Sequence, residues 1–190
     1  MKLELYGSYT SPFARHCRIA MSQANLDYAF IETDQQQSDS LVSTKKVPFL
    51  DISMQDQNLR LTDSSSILRF IREHCEQSFL PSLQSLEHFC FINTQLDAAA
   101  NVFYLEKFGL NSSDNHYIAR QHARIKQGLD SLEEMHINFQ ADDDVSLRLA
   151  CYLDWGIFRQ RFSLSHLPNL QTCLHEANAY VAFQQTSPKE

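Results

Sequence analysis

Two hydroxyl residues, Thr10 and Ser11, stand directly before Pro12 in the stretch Gly7-Ser8-Tyr9-Thr10-Ser11-Pro12-Phe13-Ala14-Arg15. Proline is favoured at the first position of a helix, and a serine or threonine ahead of it can cap the free amides. The first turn of such a helix carries partial positive charge from its unpaired N–H groups. That place suits an anion, a thiolate included, with the hydroxyls as donors. Taken alone, the turn supports capping and anion binding equally. Lys46-Val47-Pro48 is a second stretch of interest. A proline opening a strand cannot donate to the ladder. A cis peptide there would present the Val47 backbone to a peptide ligand, while the ordinary alternative is a trans proline on an edge strand. The third stretch is Asp63-Ser64, ahead of an apolar-periodic run. Its first helical amides can take a carboxylate and Asp63 an ammonium group; the commoner role of such a pair is capping alone.

The elements that must hold these residues follow from periodicity. Lys2 to Tyr6 reads as a short strand with Leu3 and Leu5 on one face, ended by Gly7. From Pro12 the period changes: Phe13, Cys17, Ala20, Met21 and Ala24 recur at helical spacing to about Asn25. Residues 27–32 form a second strand and 47–52 a third, opened by Pro48. The polar segment 33–44, with its Gln35-Gln36-Gln37 run, is a loop or a marginal helix. Leu59 to Leu61 is a short fourth strand, and Ile67, Leu68, Phe70 and Ile71 mark a helix reaching about Cys75. From about Leu86 the strand signals vanish. Helical spacing dominates 86–108, 115–138 and 144–158, and a last helix runs from Leu170 to Gln184. The chain therefore divides into a small α/β domain, residues 1–77, and an all-helical domain, residues 86–190, with Pro81 in the linker.

Composition narrows the function. Hydrophobic residues at 43% and charged residues at 21% are ordinary for a folded globular chain. Sixteen Lys+Arg against 23 Asp+Glu leave a formal charge of −7, which argues against nucleic acid or an anionic membrane as main partner. The five cysteines, Cys17, Cys75, Cys90, Cys151 and Cys173, are widely spaced without a CxxC, which fits neither a disulfide framework nor a zinc knuckle. The eight histidines form no HxxxH pattern, so no metal is expected. No signal peptide is visible, and no apolar run approaches the ~18–20 residues of a membrane span. A cytoplasmic, thiol-reduced setting is the expectation.

In order and separation the three stretches resemble the bacterial-type cytosolic glutathione S-transferases. Leu5 to Arg15 is similar to their first strand and active-site turn. Lys46-Val47-Pro48-Phe49-Leu50 matches K-V-P-x-L, whose proline is cis, and Asp63-Ser64-Ser65-Ser66-Ile67 matches the acidic-Ser-x-x-I that grips the γ-glutamyl end. Leu96-Asp97-Ala98-Ala99-Ala100 and the run from Asp144 to Trp155 resemble two helices of the C-terminal domain. The resemblance implies a thioredoxin-like N-terminal domain, an all-α C-terminal domain, and glutathione as co-substrate. It implies Ser11 and Thr10 as catalytic hydroxyls, and Phe13, Lys46, Val47, Pro48, Asp63 and Ser64 around the glutathione. Helical phasing puts Asn101, Tyr104 and Phe108 by the electrophile. The resemblance also implies a homodimer, with Ser65, Arg69 and the helix from Leu86 at its contacts.

Two departures bear on activity. Where omega-like relatives and glutaredoxins carry a cysteine before the proline, this chain has Ser11, and Ala14 stands for the second cysteine. A serine forms no mixed disulfide with glutathione, so thiol exchange is disfavoured there. Cys17 lies on the apolar face of the first helix and reads as core, while Tyr6 and Tyr9 are rival phenolic donors. Ahead of Val47-Pro48 the chain has Val42-Ser43-Thr44-Lys45-Lys46 in place of the frequent N-P-x-G-K. Nor does the usual capping box precede the buried helix, since Ala141 stands three residues before Asp144; Asp142 or Asp143 is the alternative cap. The expected reaction is conjugation of the glutathione thiolate to a small electrophile. The rivals are a non-catalytic binding or regulatory member of the same fold and a glutathione-dependent isomerase or lyase.

Overall fold

Alternation along the first strand decides where the first core lies. In a computed structural model describing residues 1–55, 57–111, 113 and 115–188, β1 (Lys2–Gly7) buries Leu3, Leu5 and Gly7 and turns Glu4 and Tyr6 to the other face. The chain continues through α1 (Pro12–Gln23), β2 (Ala29–Glu32), α2 (Gln35–Leu41), β3 (Phe49–Ser53), β4 (Asn58–Leu61) and α3 (Ser64–His74). The sheet order is β2-β1-β3-β4, with β1 and β2 parallel and the other pairs antiparallel. Leu5 pairs with Leu50 and Leu3 with Ile52, so the buried side chains of both strands share one face. Helix α1 covers that face, since a Cβ on Gly7 would meet the Ala14 Cβ at 2.8 Å. Helix α3 packs beside α1. This is the thioredoxin-like arrangement.

The segment 33–44 resolves into a helix despite its weak pattern. Asp34 and Gln37 exchange hydrogen bonds in a capping box, Gln37 N–H to Asp34 Oδ1 at 2.7 Å and Asp34 N–H to Gln37 Oε1 at 3.0 Å. Those bonds and the burial of Ser38 and Val42 outweigh the poor amphipathicity of α2.

The second unit, Leu80–Tyr180, holds α4 (Leu83–Lys107), α5 (His116–Glu134), α6 (Asp144–Phe158) and α7 (Pro168–Ala179). Helix α6 is buried almost throughout, which is why its apolar residues are dense rather than periodic. Asp143 is its N-cap, accepting from the N–H of Ser146 at 2.8 Å. Helix α7 has no cap of its own. Glu133 of α5 accepts from the N–H groups of Asn169 and Leu170 at 2.8 and 3.0 Å.

The last helix of the sequence reading is two helices. The chain turns extended at Tyr180, and α8 (Val181–Gln185) groups with Met1–Phe79 rather than with the helical unit. Buried Arg15 explains the return. Its Nη2 donates to the Phe183 carbonyl at 2.8 Å, and its guanidinium lies 3.6 Å from the centre of the Phe183 ring. The motif residue Arg15 thus anchors the C-terminal segment. Arg15→Met, which keeps the bulk but loses the bond, should destabilise by about 1.5–3 kcal/mol. Urea unfolding should show a lower midpoint, and an unchanged midpoint would contradict the anchor.

Candidate active site

Three chain reversals end at the same edge of the sheet. The turn 8–11 leaves β1 just after Tyr6, which pairs with Phe49, the first residue of β3. Val47 and Pro48 therefore arrive beside the exit of β1. Leu61, paired with Leu50, leads β4 to the same edge, where Asp63 and Ser64 open α3. Helices α1 and α3 both start here, and Cys17 of α1 donates to the Ser64 carbonyl at 3.9 Å. At their far ends Arg72 Nη2 donates to Gln23 Oε1 at 2.9 Å, so the two helices run side by side in one direction. Their dipoles present partial positive charge at one edge.

Ser11 is the N-cap of α1, with extended backbone, and Pro12 is the first helical residue. The Ser11 Oγ accepts from the Ala14 N–H at 3.2 Å. A hydroxyl has one proton and two lone pairs, so this cap leaves the proton to donate. Thr10 Oγ1 lies 3.0 Å from Ser8 Oγ, and Ser8 Oγ accepts from the Thr10 N–H at 3.3 Å. Thr10 can therefore donate outward only when Ser8 donates to it. Ser8 carries no sequence signal of its own, because its link to Thr10 exists only once the turn is formed. Phe13 is half-buried at the second helical position.

Asp63 is the N-cap of α3, its Oδ1 accepting from the Ser65 N–H at 2.7 Å. The side chain is exposed and Ser64 is buried. The Val47–Pro48 peptide bond is cis, Pro48 is buried, Val47 is half-buried and Lys46 is exposed. Both tyrosines engage neighbouring aromatic rings. Tyr6 points to the sheet face opposite α1 and stacks on Phe49 at 4.4 Å; burial, with the Glu4 and Asp51 carboxylates, pushes its phenol up. Tyr9 turns back onto Phe30, its ring 4.8 Å away, under the Arg18 guanidinium. Asn101, Tyr104 and Phe108 are exposed residues at the end of α4, in the other unit. Among the described residues no cluster of His, Cys, Asp and Glu is arranged for a metal ion, and no helix is long and apolar enough to cross a membrane.

Residues 5–79 match the family model described as glutathione S-transferase, N-terminal domain. These residues are a glutathione S-transferase N-terminal domain. No curated protein matches the sequence. The whole chain has the glutathione S-transferase fold. A glutathione S-transferase from Methylobacterium radiotolerans, in complex with glutathione sulfonate, superposes with a TM-score of 0.83 at 17% identity, over 100% of this chain and 96% of that one. A glutathione S-transferase from Methylobacillus flagellatus with GSH bound gives 0.80 at 17% identity, over 99% and 100%. A maleylacetoacetate isomerase from Anaeromyxobacter dehalogenans, with GSH bound in the active site, gives 0.77 at 21% identity, over 98% and 95%.

In this glutathione S-transferase domain Cys17 is wholly buried on the core side of α1. Cys151 and Cys173 are also buried, Cys75 is intermediate and Cys90 is exposed. Burial, with the Glu176 and Asp143 carboxylates, pushes the Cys173 thiol up to about 12. A thiol reagent at pH 8 should therefore label Cys90 fastest and Cys75 next. The other three should react only on unfolding. Mass spectrometry of the labelled peptides checks this, and fast labelling of Cys17 would contradict its place in the core.

Proposed function

We propose that this chain is a glutathione transferase that lowers the thiol pKa of bound glutathione with a serine hydroxyl and a helix terminus. The observation that supports the reading is that Ser11 caps α1 as an acceptor, which leaves its hydroxyl proton to donate. Glutathione's thiol titrates near ~8.5 when free, and a two-unit drop needs ~2.7 kcal/mol. A hydrogen bond to a charged acceptor contributes ~1.5–3 kcal/mol and a helix N-terminus ~0.3–1. Together they suffice. Thr10 is a second donor when Ser8 donates to it. Val47 pairs with the cysteinyl backbone, Pro48 and Phe13 flank it, and Lys46 reaches the glycine carboxylate. Asp63 takes the γ-glutamyl ammonium with the carboxylate oxygen its cap leaves over, and Ser64 takes the carboxylate. The thiolate then attacks a small electrophile.

The similarity to a GSH-bound isomerase supports a second reading. There the thiolate would add to an activated double bond, allow rotation, and leave again unchanged. Both readings need the same thiolate. For the assembly we propose a homodimer using Ser65, Arg69 and the α4 helix, with a scattering mass near twice 22.0 kDa as the expected result.

Ser11→Ala should leave glutathione affinity nearly intact and raise the bound thiol's pKa by ~1–2 units. Ser11→Gly, which keeps most of the cap, should do the same without the ~1 kcal/mol stability loss of the alanine variant. Thiolate absorbance against pH is the measurement, and curves superimposable on wild type would remove Ser11 from the mechanism. Asp63→Asn keeps the cap but not the charge, and should weaken glutathione about ten- to a hundredfold by calorimetry.

A further inference from the structure

Arg60 lies outside all three stretches, yet it ties down the segment that carries one of them. Its Nε and Nη2 donate to Oδ1 and Oδ2 of Asp51, both at 2.6 Å. Its Nη1 donates to the Leu41 carbonyl at 2.5 Å. The guanidinium also sits over the Phe49 ring, 4.9 Å from its centre. Leu41 is the last residue of α2, where helical carbonyls lack intrahelical partners. Phe49 and Asp51 belong to β3. Residues 42–48, with Lys46, Val47 and Pro48, lie between them. One guanidinium therefore grips both ends of this connection.

We infer that Arg60 is a positioning residue, holding residues 42–48 in the shape that receives the backbone of glutathione. This rests on the reading proposed above. The connection lacks the N-P-x-G-K residues that would shape it locally, and Lys45 adopts a left-handed φ of 52° that non-glycine residues seldom visit. Inside the segment the Lys45 N–H donates to the Val42 carbonyl at 3.1 Å, and Arg60 adds a hold on both of its ends from outside. Only a planar fork serves here, because two donors engage one carboxylate while a third reaches a carbonyl on another element. Lysine carries a single ammonium and cannot repeat it. The Arg60 side chain is 42% exposed, so its bonds add little to global stability. Their worth lies in local order, since a loop already held costs less to fix around a ligand.

The test compares wild type, Arg60→Ala, Arg60→Lys, Lys46→Ala and the Arg60→Ala/Lys46→Ala pair. Calorimetry should show glutathione binding weakened about five- to twentyfold in Arg60→Ala. Arg60→Lys should not restore it. The bound thiol should titrate as in wild type, because its donors lie on α1, whereas a general loss of structure would move affinity and titration together. In the double variant the losses should be less than multiplicative. Trypsin should cut native Arg60→Ala after Lys45 and Lys46 several times faster than wild type. Unchanged cleavage overturns the clamp whatever the ligand. Faster cleavage with unchanged affinity overturns its role in binding. A wild-type chain that binds no glutathione overturns the functional reading instead.

Discussion

Helix α1 lies so close to the end of β1 that a single methyl group at Gly7 would collide with Ala14. Most of the site depends on this approach. With no Cβ at Gly7, the helix settles onto the face made by Leu3 and Leu5 and starts immediately beyond the strand. The turn between them is short and crosslinked, with Ser11 N–H donating to the Ser8 carbonyl at 3.0 Å. The turn therefore has little freedom, and the dipole of a well-packed helix points out past it.

The groups that cap α1 and α3 keep hydrogen-bonding capacity beyond their structural bonds. Ser11 spends a lone pair on its cap and keeps a proton, while Asp63 spends one carboxylate oxygen and keeps another. A capping residue thus keeps capacity for a further partner. Removing one disturbs a helix end as well as the binding role proposed for it, so substitutions that keep the cap separate the two.

The helical unit uses a related device without any ligand. Glu133 brings its carboxylate to the start of α7, where the local sequence offers no cap. Ser146 closes the start of α6 by donating to the Gln140 carbonyl and accepting from its N–H. In the first unit a buried cation holds the chain terminus against α1. Beside the local caps, Glu133 and Arg15 therefore each secure a helical segment from a distant position in the chain.

That distance separates what the sequence determined from what only the tertiary structure decided. The two-part organisation, α1, α3 and α6, and the residues around Ser11, Pro48 and Asp63 were legible because their signals are local: a cap, a proline, a period of two or 3.6. The short helix α2 was ambiguous, since its stability comes from a capping box rather than a strong apolar face. The break at Tyr180 and the return of α8 were invisible, because Arg15 and Phe183 meet only in the folded chain. Arg60 was invisible for the same reason. Its pairing with Asp51 follows from the register of β3 against β4, and its bond to Leu41 from where α2 ends. Local periodicity records which face of an element is buried. It does not record which distant carbonyl or carboxylate that burial brings within reach, and those encounters shape the site.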